Sequence, residues 1–192
     1  MKLIKKNFIL YKLFNSSFTG LSIGILFTIY EPLKPLVYSV GGMVLALSML
    51  IIANFYEKLL NIKSFFKVTI FVEVVMLLTI VAFMVLGYSL YSAMLIYCGY
   101  QLTFIFGGYL VRAETLVAND KELISNIDIA KHFGYLVGLG CSSVFYMLMD
   151  QAFDVPHSKD QITILHYLLI VLQSVIIILA LSSFKRDDEA VS

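Results

Sequence analysis

The chain has 192 residues, 60% of them hydrophobic and 14% charged, with a formal net charge of +1 and a mean hydropathy of +0.89. So little polar surface cannot coat a water-soluble globule, which excludes an ordinary soluble domain. The composition predicts an all-α polytopic membrane protein bathed in lipid, forming a single transmembrane domain over residues 1–192.

A membrane-crossing helix needs about 20 apolar residues, because ~30 Å of hydrocarbon is covered at 1.5 Å per residue. Six stretches meet this: Phe8–Tyr30, Leu36–Phe55, Val68–Leu86, Tyr91–Val111, Ile129–Leu148 and Ile162–Phe184. The first follows the basic start Met1-Lys2-Leu3-Ile4-Lys5-Lys6, is too long for a signal peptide and lacks a small-x-small cleavage site, so it reads as an uncleaved span. Lys12 lies in its first turns and is expected to snorkel to the lipid phosphates. Asn15, Thr19 and Ser22 follow at i, i+4 and i+7, a polar stripe on one helical face.

Glu31-Pro32-Leu33-Lys34-Pro35 is short enough to make spans one and two an antiparallel hairpin, and Gly87-Tyr88-Ser89-Leu90 does the same for spans three and four. Span three carries Glu73, the only acidic residue well inside a span. A charge at membrane depth costs at least ~2.5–3.5 kcal/mol, which makes it a candidate for proton or cation coupling; the alternative is a structural carboxyl near the inner interface, less than two turns from Lys67. Span four offers Tyr97, Tyr100 and Gln101, with Thr103, near its middle. Between spans four and five, Asn119 or Asp120 is expected to cap a short surface helix and Asn126 to cap span five.

Twelve of the fourteen Lys and Arg residues fall on one side of these spans, leaving Lys34 and Lys159 on the other. Cations near span ends are retained on the cytoplasmic side, so both termini are expected to be cytoplasmic in a multi-pass protein of the plasma (inner) membrane. Tyr30, Tyr56, Tyr88, Tyr91, Tyr109 and Tyr167 sit at or near span ends and read as interfacial anchors in a chain without Trp. Cys98 and Cys141 both lie inside spans, where no pairing can be argued.

Small residues recur every four positions at Ser16-Gly20-Gly24, Gly42-Ala46, Gly99-Thr103-Gly107 and Gly134-Gly138-Ser142, a spacing that lets helices approach closely in lipid. Spans one, two, four and five are therefore expected inside the bundle, and spans three and six towards lipid.

This division, with matching roles for the first and last three spans, resembles one six-helix half of a major facilitator superfamily transporter. Gly107-Gly108, Arg112-Ala113-Glu114-Thr115-Leu116, Asn119-Asp120 and Gly134-Tyr135-Leu136-Val137-Gly138 carry the likeness. The loop between spans two and three departs from the family signature: Ala53 and Leu60 stand where it has glycines, and only Glu57-Lys58 and Lys63 echo its charges. The resemblance implies a 3+3 inverted repeat, a cavity lined by spans one and four, and a second half supplied by another copy or by a different half-length chain. It implies that Asn15, Thr19, Ser22, Tyr97, Tyr100 and Gln101 face that cavity; the alternative for these groups is interhelical hydrogen bonding.

No HExxH, GxxxxGK[ST] or Ser-His-Asp arrangement is present, so no enzyme activity, metal or cofactor is expected. Asp150, Asp154, His157 and Asp160 read as a solvated loop. The expected partners are the bilayer, a small-molecule solute and a homodimer mate, with no nucleic acid. Two other readings fit the span count: a substrate-binding membrane subunit of an energy-coupling-factor-type importer, and a non-transporting membrane scaffold.

Overall fold

A computed structural model describes residues 1–30 and 33–185. Part of the first hairpin connection, Glu31 and Pro32, and the cation Arg186 lie outside the described residues. The chain is almost wholly helical: α1 Lys5–Tyr30, α2 Pro35–Asn54, α3 Tyr56–Leu59, α4 Ile62–Leu86, α5 Leu90–Ile105, α6 Gly107–Ala118, α7 Lys121–Gln151 and α8 Ser158–Ser182. Among the described residues α2, α4, the α5–α6 pair, α7 and α8 are long and apolar enough to cross a membrane. The 26-residue α1 carries the N-terminal lysines.

Local chemistry sets the helix ends. Pro35 opens α2 at its first turn, where a missing N–H costs nothing. The Asn61 side chain accepts from the Ser64 amide to start α4, six residues before the predicted span. Gly87, at φ +61°, ends α4 in a conformation that favours glycine, and Ser89 and Ser92 form a reciprocal capping box at the start of α5. Asp120 accepts from the Glu122 amide and caps α7, which then runs 31 residues without interruption. Asp120 is thus a cap, as expected, but of one long helix: there is no separate surface helix, and Asn126 lies inside α7.

The packing order follows from the helix contacts. α1 packs on α7 and α8, α5 packs on α4 and α2, α4 packs on α8, and α1 touches α5. Exchanging α1, α2 and α4 with α5, α7 and α8 in that order maps these contacts onto themselves. α1 on α7 corresponds to α5 on α2, and α1 on α8 to α5 on α4. The result is a front row of α7, α1, α5 and α2 with α8 and α4 behind it.

The α1–α7 contact is the closest, and glycine makes it possible. A Cβ built on Gly20 would lie 2.4 Å from the Tyr135 carbonyl oxygen, one on Gly134 2.2 Å from that of Leu13, and one on Gly138 2.1 Å from that of Ser17. The small-residue stripes of spans one and five therefore grip each other backbone to backbone. The Gly42-Ala46 stripe does not behave this way. Among the described residues nothing lies within 4 Å of a Cβ built on Gly42, and no α2 residue is buried. By contrast, a third of the most apolar stretch of α4, and of α8, is buried. Spans three and six are therefore core elements of this chain and span two is peripheral, which corrects the expected division. The reason is that bulky residues fill those faces: Phe65 and Phe83 on α4 and Leu165 and Ile176 on α8 are almost wholly buried.

At one end of the bundle the chain returns to its start. Lys2–Leu3 (β1) pairs antiparallel with Phe184–Lys185 (β2), and the Ile4 amide donates to the Ser183 carbonyl at 2.8 Å. Phe8, Phe65 and Phe184 meet edge to face at 5.8–6.0 Å beneath this ladder. At the same end Lys5 bonds Asp120 at 2.7 Å, and this exposed pair holds the lysine's pKa above, and the carboxyl's below, its ordinary value. Tyr109 is not an anchor: it is buried and donates to the Leu59 carbonyl at 2.9 Å, tying α6 to α3. Tyr91 and Tyr167 are exposed, as anchors should be. The side chain of Tyr30 lies outside the described residues.

Candidate functional site

Four helices enclose a cavity of about 340 Å³ lined by Asn15, Phe18, Thr19, Ser22 and Ile23 of α1, Val72, Glu73 and Met76 of α4, Tyr100, Thr103 and Phe104 of α5, and Gln173 of α8. Among its lining residues, Thr19 of α1 and Phe104 of α5 are exposed. Helical periodicity explains the lining, because Asn15, Thr19 and Ser22 share one face of α1, and Tyr100, Thr103 and Phe104 one face of α5.

Glu73 is the centre of this site. It is 3% exposed, and its Oε1 accepts from Tyr11 Oη at 2.6 Å and from Asn15 Nδ2 at 2.9 Å. Its Oε2 accepts from Gln173 Nε2 at 2.8 Å, and the same amide donates to the Glu73 carbonyl at 2.9 Å. One carboxylate thus joins α1, α4 and α8. It does not pair with Lys67; Tyr11 and Asn15, one turn apart on α1, hold it instead.

Of the six expected cavity residues, Asn15, Thr19, Ser22 and Tyr100 line the cavity. Tyr97 does not. It packs edge-on against Tyr38 at 5.6 Å, over Gly41 of α2. Gln101 is half-buried beside the cavity without lining it, and its Oε1 has no hydrogen-bond partner among the described residues. Gln173 went unnoticed, although an amide inside a long apolar run is the signal that singled out Gln101. Its own Oε1 is buried and without a hydrogen-bond partner among the described residues.

A second polar cluster lies towards the end that holds the termini. Lys12 Nζ reaches Glu114 Oε2 at 2.5 Å, and Lys131 binds the other oxygen of the same carboxylate. Lys131 also approaches Asp128 at 3.4 Å. Lys12 sits over the Phe8 and Tyr11 rings at 5.3 and 5.2 Å. This corrects the expected snorkelling: the Lys12 side chain is only 12% exposed, because Glu114 supplies a closer anion than the lipid surface. The two cysteines are exposed and free, and among the described residues no group of His, Cys, Asp and Glu could hold a metal ion.

No protein-family model, no curated protein and no solved structure matches this chain. The cavity and its carboxylate therefore carry the functional argument alone.

Proposed function

We propose that the protein is a six-span, half-size secondary transporter of a small solute, working as a homodimer with both termini in the cytoplasm. The observation that carries this reading is the position of the cavity. It lies between the first three spans and the last three, and the helix contacts of the two sets exchange. In transporters built from inverted repeats the solute site lies at the repeat interface near the bilayer midplane, and a half of the major facilitator kind follows that plan. Its exposed lining residues belong to α1 and α5, where a second copy would complete a two-sided pathway.

The partner copy would cover the front row, namely the exposed α2 face around Gly42 and the outer face of α7 around Gly140. A single cysteine in place of Ser39 or Ser143, both exposed, is expected to form a crosslinked dimer in membranes, whereas one at Leu78 on the back pair is not. Crosslinking from Leu78 alone would remove the arrangement.

The cations supply the orientation. Lys2, Lys5, Lys6, Lys58, Lys63, Lys67, Arg112 and Lys121 belong to the end that carries the β1–β2 ladder, and the positive-inside rule assigns that end to the cytoplasm. A reporter inserted near Lys121 is expected to give a cytoplasmic signal; an external one would invert the topology.

One observation favours a second reading. Helices α1, α4, α5 and α8 of one copy supply lining on four sides of the cavity, as suits a substrate-binding subunit of a multi-component importer. That subunit would be monomeric, so the crosslinking experiment separates the two.

A further inference from the structure

Glu73 is the only residue carrying a formal charge in the cavity wall, and no lysine, arginine or histidine pairs with it among the described residues. The nearest candidates are already engaged, since Lys12 and Lys131 both hold Glu114. Oε1 of Glu73 accepts two hydrogen bonds and Oε2 only one from a side chain, so Oε2 keeps capacity for a further donor. Beside it the oxygen of Gln173, a side chain fully buried on α8, meets no donor. A buried acceptor left unmade costs about 1–3 kcal/mol. The carboxylate of Glu73 thus borders the cavity with no cation paired to it among the described residues. The rings of Phe18, Tyr100 and Phe104 line the same space, and aromatic faces attract cations.

We infer that the cavity binds a small organic ammonium ion, its N–H groups donating to Glu73 and its apolar body lying against the aromatic wall. An anion would be repelled by the carboxylate, and a neutral alcohol would gain no charge attraction from it. The cavity volume of about 340 Å³ admits a one-ring amine. The inference names the solute class for the transport reading and rests on it, yet binding is measured without transport.

The test titrates the full-length protein in lipid nanodiscs with phenethylammonium, 2-phenylethanol and phenylacetate, subtracting empty nanodiscs. The ammonium ion is expected to bind at least about tenfold more tightly than the alcohol, with phenylacetate weakest. Glu73→Gln is expected to erase that preference while the alcohol's affinity is kept. Equal binding of ammonium and alcohol, tighter binding of phenylacetate, no ammonium binding below about 10 mM, or a preference unchanged in Glu73→Gln would each overturn the inference. If Glu73→Gln does not fold, the ranking of the three probes on the unaltered protein decides. A monomer that keeps the ranking loses the half-transporter reading and retains the ammonium site; a dimer without the ranking does the reverse.

Discussion

Gly138→Leu is expected to abolish the folded bundle, whereas Gly140→Leu, two residues along the same helix, leaves it intact. A Cβ at Gly138 would stand 2.1 Å from the Ser17 carbonyl oxygen and 2.9 Å from the Leu21 nitrogen, both backbone atoms. Backbone cannot rotate away as a side chain can, so α1 and α7 must separate along their length. Overpacking a core costs ~1–3 kcal/mol when side chains adjust, and here the whole helix contact opens, so a loss at or above the top of that range is expected. Nothing lies within 4 Å of the corresponding position at Gly140 among the described residues. Thermal unfolding of the two variants in detergent, followed by size-exclusion chromatography, compares them directly. Equal loss in both would show that leucine on α7, not the glycine contact, is at fault.

The second large effect is expected at Glu114. Replacing it by leucine leaves Lys12, 12% exposed, facing aromatic rings with its ion-pair partner gone. Removing one partner of a buried pair costs ~3–5 kcal/mol, largely because the other charge is stranded. The double variant Lys12→Met with Glu114→Leu is therefore expected to recover most of the loss, since neither charge remains buried. Lys131 keeps Asp128 and is a quarter exposed, so it does not repeat the penalty. Denaturant midpoints of the single and double variants measure this. A double variant no more stable than Glu114→Leu would mean that the cluster does more than balance Lys12.

Much of the architecture was legible because lipid simplifies the code. Length and apolarity located the helices, and glycine spacing on spans one and five marked a contact that is truly backbone to backbone. The same spacing misled on span two, since a small-residue stripe says that a face can be approached closely without saying that anything approaches it. Glu73 stood out by its cost, yet its surroundings were hidden: Tyr11 and Gln173 lie 62 and 100 residues away in sequence, and no local pattern links them. Lys12 was misread for the same reason, its partner Glu114 lying beyond the predicted end of span four. The unbroken run of α7 was missed because Lys121, Glu122 and Asp128 read as a short surface helix and a connection, with Asn126 as the cap of a separate span. An amphipathic first two turns buries Leu123 and Ile127 while leaving those charges outside.

The contacts of α1 bear on how the protein is made. α1 leaves the ribosome well before α7 and α8, the helices on which it chiefly packs, and the carboxylate of Glu73 receives the amide of a residue 100 positions later. At a synthesis rate of ~5–20 residues per second, Glu73 waits ~5–20 s for Gln173 to emerge. Through that interval a polar stripe and a carboxyl have entered the membrane without their final partner. Until α8 arrives, Glu73 has only Tyr11 and Asn15 to meet, and the face of α4 that α8 covers stays open.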